Sequence, residues 1–326
     1  MRVLVTGAAG FIGSVVTEQL LDAGHEVVAL DSLKHGHPDA VLPPTQLIQA
    51  DLLDAEGLKR VVASSGVDAV IHLAAEALID ESVRNPGLFF RVNTVGGLNL
   101  LEAMVAAGVK RLIFSSTAAV YGEPATTPVE EDAPCLPVNG YGESKLAFER
   151  MLRWFAVAHD VRSVSLRYFS ACGATERFGE DHRPETHLIP ILFEVALEQR
   201  DAISLYGTDY DTPDGTCIRD YVHVHDIAQA HLLALAKVDA GTSPAYNMGN
   251  RRGYSNRQVI DTVRAVTGRE IRVNEAARRP GDPARLVASD RRIRAELGWD
   301  PRYPELGEMI ETAWAWRLAH PNGYER

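Results

Sequence analysis

A chain of 326 residues is long for one core and short for three, so two lobes sharing a cleft are expected. Its net charge of −11, from 33 basic against 44 acidic side chains, excludes a generic nucleic-acid surface, and no apolar run is long enough to span a bilayer. Any anionic small substrate must therefore be met by a few local arginines rather than by the field of the whole chain.

The chain opens as a strand with no cleavable leader before it, and Cys135, Cys172 and Cys217 are too few and too scattered for a disulfide framework. Both features are expected of a cytoplasmic protein. The N-terminal half then alternates apolar runs with helical stretches, the pattern of a doubly wound parallel α/β sheet. Strands are predicted at residues 3–5, 27–30, 69–71, 112–114 and 164–166, and helices at 11–23, 88–107 and 141–159. Beyond about residue 169 the rhythm loosens into loops at 173–184, 207–215 and 278–283. Residues 226–237 and 245–248 read as elements that return to the sheet. The expected organisation is a dinucleotide-binding domain over 1–169 with return segments near 220–250, and a smaller, non-contiguous C-terminal substrate lobe over 170–326.

The first strand runs into Gly7-Ala8-Ala9-Gly10-Phe11-Ile12-Gly13. Gly7 permits the tight turn, Gly10 lets the backbone approach a pyrophosphate, and Gly13 lets helix and strand pack closely. The helix start adds free N–H groups and a positive dipole end for phosphates. The second strand ends at Asp31, whose carboxylate can accept both ribose hydroxyls and repels a 2′-phosphate; the cofactor expected is NAD.

Tyr141 and Lys145 lie four apart, one helical turn, and so share a face. A phenol titrates near pH 10, so ionising it near neutrality takes about three units, roughly 4 kcal/mol. One nearby cation supplies about one to three units, which leaves Lys145 alone marginal and makes Lys145 beside a positively charged nicotinamide sufficient. Thr117 falls at the carboxyl end of its strand, where such sheets bind ligands. Its hydroxyl can hold a reacting hydroxyl or relay a proton to Tyr141; a capping or turn threonine is the alternative. His223-Val224-His225-Asp226 offers two histidines on one strand face but no third ligand, and His182 and His187 do not change that, so no metal is expected.

The glycine spacing is that of short-chain dehydrogenases, and the whole chain resembles the extended short-chain dehydrogenase/reductase enzymes of nucleotide sugars, above all the UDP-galactose (UDP-glucose) 4-epimerases. The resemblance runs through His72-Leu73-Ala74-Ala75, Asn93, Phe114-Ser115-Ser116-Thr117, Val120-Tyr121-Gly122 and the Tyr141/Lys145 pair. It grows more particular at Leu166-Arg167-Tyr168-Phe169, Pro184-Glu185-Thr186-His187-Leu188-Ile189-Pro190, Tyr206-Gly207-Thr208-Asp209-Tyr210, Arg219-Asp220-Tyr221 and Arg278-Arg279-Pro280-Gly281-Asp282.

That resemblance implies a Rossmann-type fold and a cofactor site comprising Gly7, Gly10, Phe11, Ile12, Gly13, Asp31 and Ser32. It adds Leu73, Ala74, Ala75, Asn93, Ser115, Tyr141, Lys145 and Tyr168. Asp51-Leu52 resembles the adenine-contacting pair, with a helix cap as the alternative for Asp51. On the substrate side it implies Thr117, Phe169, Ser170, His187, Leu188 and Tyr221, with Arg219 and Arg279 on a UDP diphosphate, Asp282 on the ribose or uridine, and Ser204 and Tyr206 on the uracil. It further implies a homodimer formed by the helices at 88–107 and 141–159. The implied reaction oxidises the sugar at C4, rotates the 4-keto sugar and returns the hydride to its other face, with Tyr141 as base. A related dehydratase would need an Asp-Glu pair after the threonine; Ala118 and Ala119 stand there instead. A decarboxylase and a non-enzymatic NAD-binding sensor are the remaining rivals. Three departures bear on tightness and specificity: Ala77 where a lysine is common, Ser170 in place of an asparagine, and Leu286 at a position that bears on N-acetyl groups. A modified or N-acetylated UDP-sugar stays open on that ground.

Overall fold

In a computed structural model describing residues 1–239, 243–279 and 281–324, the apolar runs assemble into one seven-stranded sheet. The first half supplies β1 (Arg2–Thr6), α1 (Phe11–Asp22), β2 (Glu26–Asp31), β3 (Gln46–Gln49), α2 (Ala55–Ser65) and β4 (Ala69–His72). It continues with α3 (Ile79–Arg84), α4 (Pro86–Phe89), α5 (Gly96–Ala107), β5 (Arg111–Thr117), α6 (Gly140–His159) and β6 (Arg162–Tyr168). The second half runs through β7 (Ser170–Cys172), α7 (Leu188–Ala196), β8 (Ile203–Tyr206), β9 (Ile218–Arg219), β10 (Tyr221–His223), α8 (Val224–Lys237) and β11 (Ala245–Met248). It closes with β12 (Tyr254–Ser255), α9 (Asn256–Thr267), β13 (Val273–Ala276), β14 (Arg285–Leu286), α10 (Arg291–Leu297) and α11 (Leu306–Ala319).

The strand order is β11-β6-β5-β4-β1-β2-β3, with every pair parallel. Alternate residues of the central strands feed two cores. Val3, Val5 and Ile71 pack with α1 and α8, while Leu4, Val70 and Leu112 pack with α2, α5 and α6. The chain leaves β1 toward β2 on one side and resumes at β4 on the other, which opens a crevice at the carboxyl ends of β1 and β4. This is a Rossmann-type fold, and β11 rejoins the sheet beside β6 as expected. A smaller lobe gathers α7, α9 and α11 around a third core that includes Leu192, Phe193, Val263 and Met309. Pro280 and residues 240–242 lie outside the described residues.

Two elements differ from the sequence reading. Strand β3 escapes the apolar-run criterion because only Leu47 and Ile48 separate its two glutamines, and it sits at the sheet edge. The single helix expected over 88–107 is α4, a π-helical turn (Phe90–Val95) and α5. The wide turn carries Asn93 inward, where it bonds Glu76 N, Glu76 O and Ser144 Oγ at 2.9, 3.0 and 2.9 Å. Gly97 then lies so near the Phe148 ring that a Cβ would stand 2.5 Å from it, so α5 and α6 meet at van der Waals range.

His72 closes β4 fully buried, 2.7 Å from Thr6 Oγ1 and flanked by Phe114 and Phe148. Burial pulls its imidazole down to about 3, and Lys145 adds to the shift. The unfolded chain therefore takes up a proton below its ordinary value of 6.5 that the folded chain refuses, and the contribution of His72 to stability is lost as pH falls from there toward about 3. Urea midpoints measured between about pH 7 and about pH 4 should fall. His72→Asn should show a shallower dependence; an unchanged slope would remove His72 as its source.

Candidate active site

The glycine turn fits a dinucleotide. Gly7 takes φ +72°, and a Cβ on it would stand 2.6 Å from Ala74 N; one on Gly13 would collide with the Gly7 carbonyl. Gly10 is different: a Cβ there meets no protein atom nearer than the Gly7 oxygen at 3.4 Å, because the space it faces is the cleft. Helix α1 has no side-chain cap at Gly10, so the N–H groups of its first turn stay free at the cleft. Asp31 is buried at the end of β2 and braces the turn by accepting from Ala9 N at 3.0 Å and Leu33 N at 2.8 Å. Asp51 is not the cap of α2; Asp54 is, accepting from Gly57 N at 2.9 Å, while Asp51 and Leu52 line the cleft.

Thr117, Tyr141 and Lys145 converge from β5 and α6 on the inner end of this cleft. Thr117 Oγ1 accepts from Ala119 N at 3.1 Å, so it does cap a turn, and its hydroxyl lies near enough to the Tyr141 phenol to favour the ionised form. Lys145 Nζ donates to Ser115 O at 2.9 Å and stands 4.9 Å from the centre of the Phe114 ring. Burial pushes Tyr141 up to about 12, opposed by the neighbouring Thr117 hydroxyl. The same burial draws Lys145 down to about 7, opposed by Glu149 one turn further along α6. The chain's own groups therefore hold the phenol protonated at neutral pH and bring the lysine's titration down toward neutrality. Behind them, Glu149 is locked to Arg167 at 2.5 and 2.9 Å and to Ser116 at 2.5 Å.

Of the residues read as contacts, all but two line one continuous cavity of about 700 Å³. The exceptions are Asn93 and Ser115. Asn93 is spent on Glu76 and Ser144, and the Ser115 hydroxyl lies 2.8 Å from His231 Nε2 in the core. Their polar groups hold the walls of the site rather than facing it. On the substrate side, Arg219 pairs with Asp282 at 3.2 Å, and the Arg279 guanidinium stacks 4.0 Å from the Tyr206 ring centre. Phe169, Ser170, Tyr221, Ser204, His187 and Leu188 complete that side. The His223–His225 pair is a helix cap, with His223 Nδ1 accepting from His225 N at 3.0 Å. Sequence reasoning missed Lys34, His35 and Glu76, whose ion-paired cluster lines the cleft beside Ala77 and holds the Glu76 carboxyl down to about 2. It also missed Glu180, His182, Glu185 and Tyr324 as lining residues. Glu185 falls within the Pro184–Pro190 motif of the resemblance, whereas Lys34, His35 and Glu76 carry no local signal beyond polar side chains outside the regular elements.

The profile of the NAD-dependent epimerase/dehydratase family matches residues 3–249. A UDP-glucose 4-epimerase of Lacticaseibacillus casei is 46% identical over 327 residues, covering 99% of each chain. The chain belongs to the UDP-glucose 4-epimerase family. A crystal structure of a UDP-glucose 4-epimerase superposes with a TM-score of 0.96 at 46% identity over the whole of both chains. The Bifidobacterium longum UDP-glucose 4-epimerase, in complex with NAD+ and UDP, superposes with a TM-score of 0.95 at 36% identity, covering 99% of this chain and 100% of that one. The chain is thus an NAD-dependent epimerase with Rossmann architecture, and its cleft brings the glycine turn and a buried phenol to one cavity.

Because Gly10 faces the cleft, a methyl group there should spare the fold and obstruct the cofactor. Gly10→Ala should leave the melting temperature within a few degrees of wild type and weaken NAD binding about tenfold, or about 1.4 kcal/mol. Unchanged binding in a calorimetric titration would show that the cofactor does not approach this turn.

Proposed function

We propose that the cleft interconverts UDP-galactose and UDP-glucose, with Tyr141 as the acid–base group, Thr117 holding the C4 oxygen and Lys145 tuning the phenol. The observation that carries this reading is the gathering of Thr117, Tyr141 and Lys145 with two arginines, Arg219 and Arg279, on the lining of one cavity. Bound NAD supplies the hydride acceptor and donor, together with a positive charge in its oxidised form. Tyr141 takes the proton of the C4 hydroxyl and later returns it, while Thr117 fixes the oxygen on which the proton travels. Lys145, drawn down to about 7 by burial, can gain or lose its charge near neutrality, so the phenol ionises when positive charge is gathered beside it. Arg219 and Arg279 hold the diphosphate, leaving the 4-keto sugar free to turn about its link to that anchor. Ala118 and Ala119 offer no acid for elimination, and Glu149 is committed to Arg167, which supports epimerisation over dehydration.

Residues 1–169 with the return segments then hold NAD, and the remainder chiefly holds the UDP-sugar. Leu286 packs against the cluster of Ala118, Val120 and Phe169 and does not line the cavity. Nothing at that position narrows the cleft against an N-acetyl group, so N-acetylated UDP-hexoses are the second substrates to assay. Trp154 and Val157 project from α6 at 74% and 82% exposure, and Phe90 and Val95 are exposed on the neighbouring helix. These exposed apolar side chains support a homodimer through that face. Among the described residues no helix is long and apolar enough to cross a membrane, and three free thiols support a cytoplasmic setting.

Tyr141→Phe should lower kcat by about 10²–10⁴-fold while NAD stays bound. Retained turnover would remove Tyr141 as the proton-transfer group, and a 6-deoxy-4-keto product from wild type would exclude the epimerase reading. Trp154→Glu with Val157→Glu should shift sedimentation from dimer to monomer; an unshifted dimer would place the interface elsewhere.

A further inference from the structure

We propose that Glu180, His182, Glu185 and His187, on the loop between β7 and α7, form a divalent transition-metal site whose preferred ion is Zn²⁺. One ligand atom from each residue lies within 4.8 Å of all the others. His187 Nδ1 stands 2.9 Å from Glu180 Oε1 and 2.8 Å from Glu185 Oε1. A single N–H cannot donate well to two carboxylates at once, whereas a cation between them satisfies both and keeps the imidazole nitrogen as a ligand. His182 supplies a second, separate indication. Its Nδ1 is shielded from solvent, lies 3.4 Å from Glu180 Oε1 and has no hydrogen-bond partner. A buried ring nitrogen without a partner is costly unless something else binds it.

The surroundings hold the four donors in place. Asp181 accepts from Tyr324 N at 3.0 Å and pairs with Arg183 at 3.1 Å, and its carbonyl lies 2.9 Å from His37 Nε2. Glu185 Oε1 accepts from Thr186 N at 2.7 Å and His187 N at 2.8 Å, which orients its carboxylate. Two imidazole nitrogens and two carboxylate oxygens suit tetrahedral Zn²⁺, while Mg²⁺ and Ca²⁺ favour oxygen-only sets. All four residues line the cavity wall from which α7 begins. The ion cross-links that wall and neutralises two carboxylates facing the cleft. Its presence does not depend on which sugar the cleft accepts.

The test uses the full-length protein, stripped with EDTA, desalted and titrated with ZnCl₂ against a chromophoric chelator. One Zn²⁺ per chain is expected to bind, with no displacement by MgCl₂. His182→Ala combined with Glu185→Gln should weaken Zn²⁺ binding about a hundredfold or more at unchanged circular dichroism, in line with loss of two ligands. His159→Ala, on the far end of α6, should bind as wild type does. Absence of stoichiometric Zn²⁺ in wild type, or full binding by the double variant, would overturn the site and leave a histidine–carboxylate ion pair. Zn K-edge absorption on wild type gives a test that needs no variant: two nitrogen and two oxygen ligands are expected, and any other shell contradicts the assignment.

Discussion

The site depends on how closely two glycines let the backbone pack at the carboxyl end of β1. Gly13 sits against the Gly7 carbonyl, and Gly7 sits against the backbone of Leu73 and Ala74. Those contacts bring α1, β1 and the segment after β4 together with no side chain between them. The free N–H groups of α1 then point into the crevice created by the change of direction in the sheet. A side chain at either glycine would push the helix or the β4 segment outward and separate the cradle from the wall that carries Thr117 and Tyr141.

Burial is the second constraint, and it acts in opposite directions on the two titrating groups. It raises the Tyr141 phenol and lowers the Lys145 ammonium, because in each case the charged form loses its water. The lysine is brought into range near neutral pH while the phenol is held out of it, and a positive charge brought beside the phenol favours its ionised form. Fixed dipoles and a buried ion pair keep the geometry while that happens. Glu149, Arg167, Tyr121 and Asn247 form a chain of bonds at 2.5–2.9 Å beneath α6. Breaking one partner of such a pair costs about 3–5 kcal/mol, so this network enforces the register of α6 over the sheet more than it adds net stability.

Much of this was legible in the sequence because it follows from backbone rules. The glycine turn, the acid ending β2 and the alternation of apolar strands with helices each follow from sterics or burial with a fixed period. The family resemblance carried the rest of the cleft, including Arg219, Arg279 and Tyr206, which no local rule distinguishes from surface residues. Three features stayed hidden for physical reasons. Strand β3 has too little apolar length to register. The π-helical turn at Phe90–Val95 exists to let Asn93 reach Glu76 and Ser144, partners 17 and 51 residues away in sequence. The clusters at Lys34/His35/Glu76 and at Glu180/His182/Glu185/His187 arise from loop geometry, which carries no periodic signal.

The central claim is that Tyr141 moves a hydroxyl proton while the hydrogen on C4 leaves and returns within the cleft. Incubating the protein with UDP-galactose in D₂O and following the products by proton NMR tests it directly. The account predicts UDP-glucose whose C4 hydrogen is still protium and whose C5 and C6 positions are unchanged. Deuterium at C4 or C5, or a 6-deoxy-4-keto sugar, would contradict it.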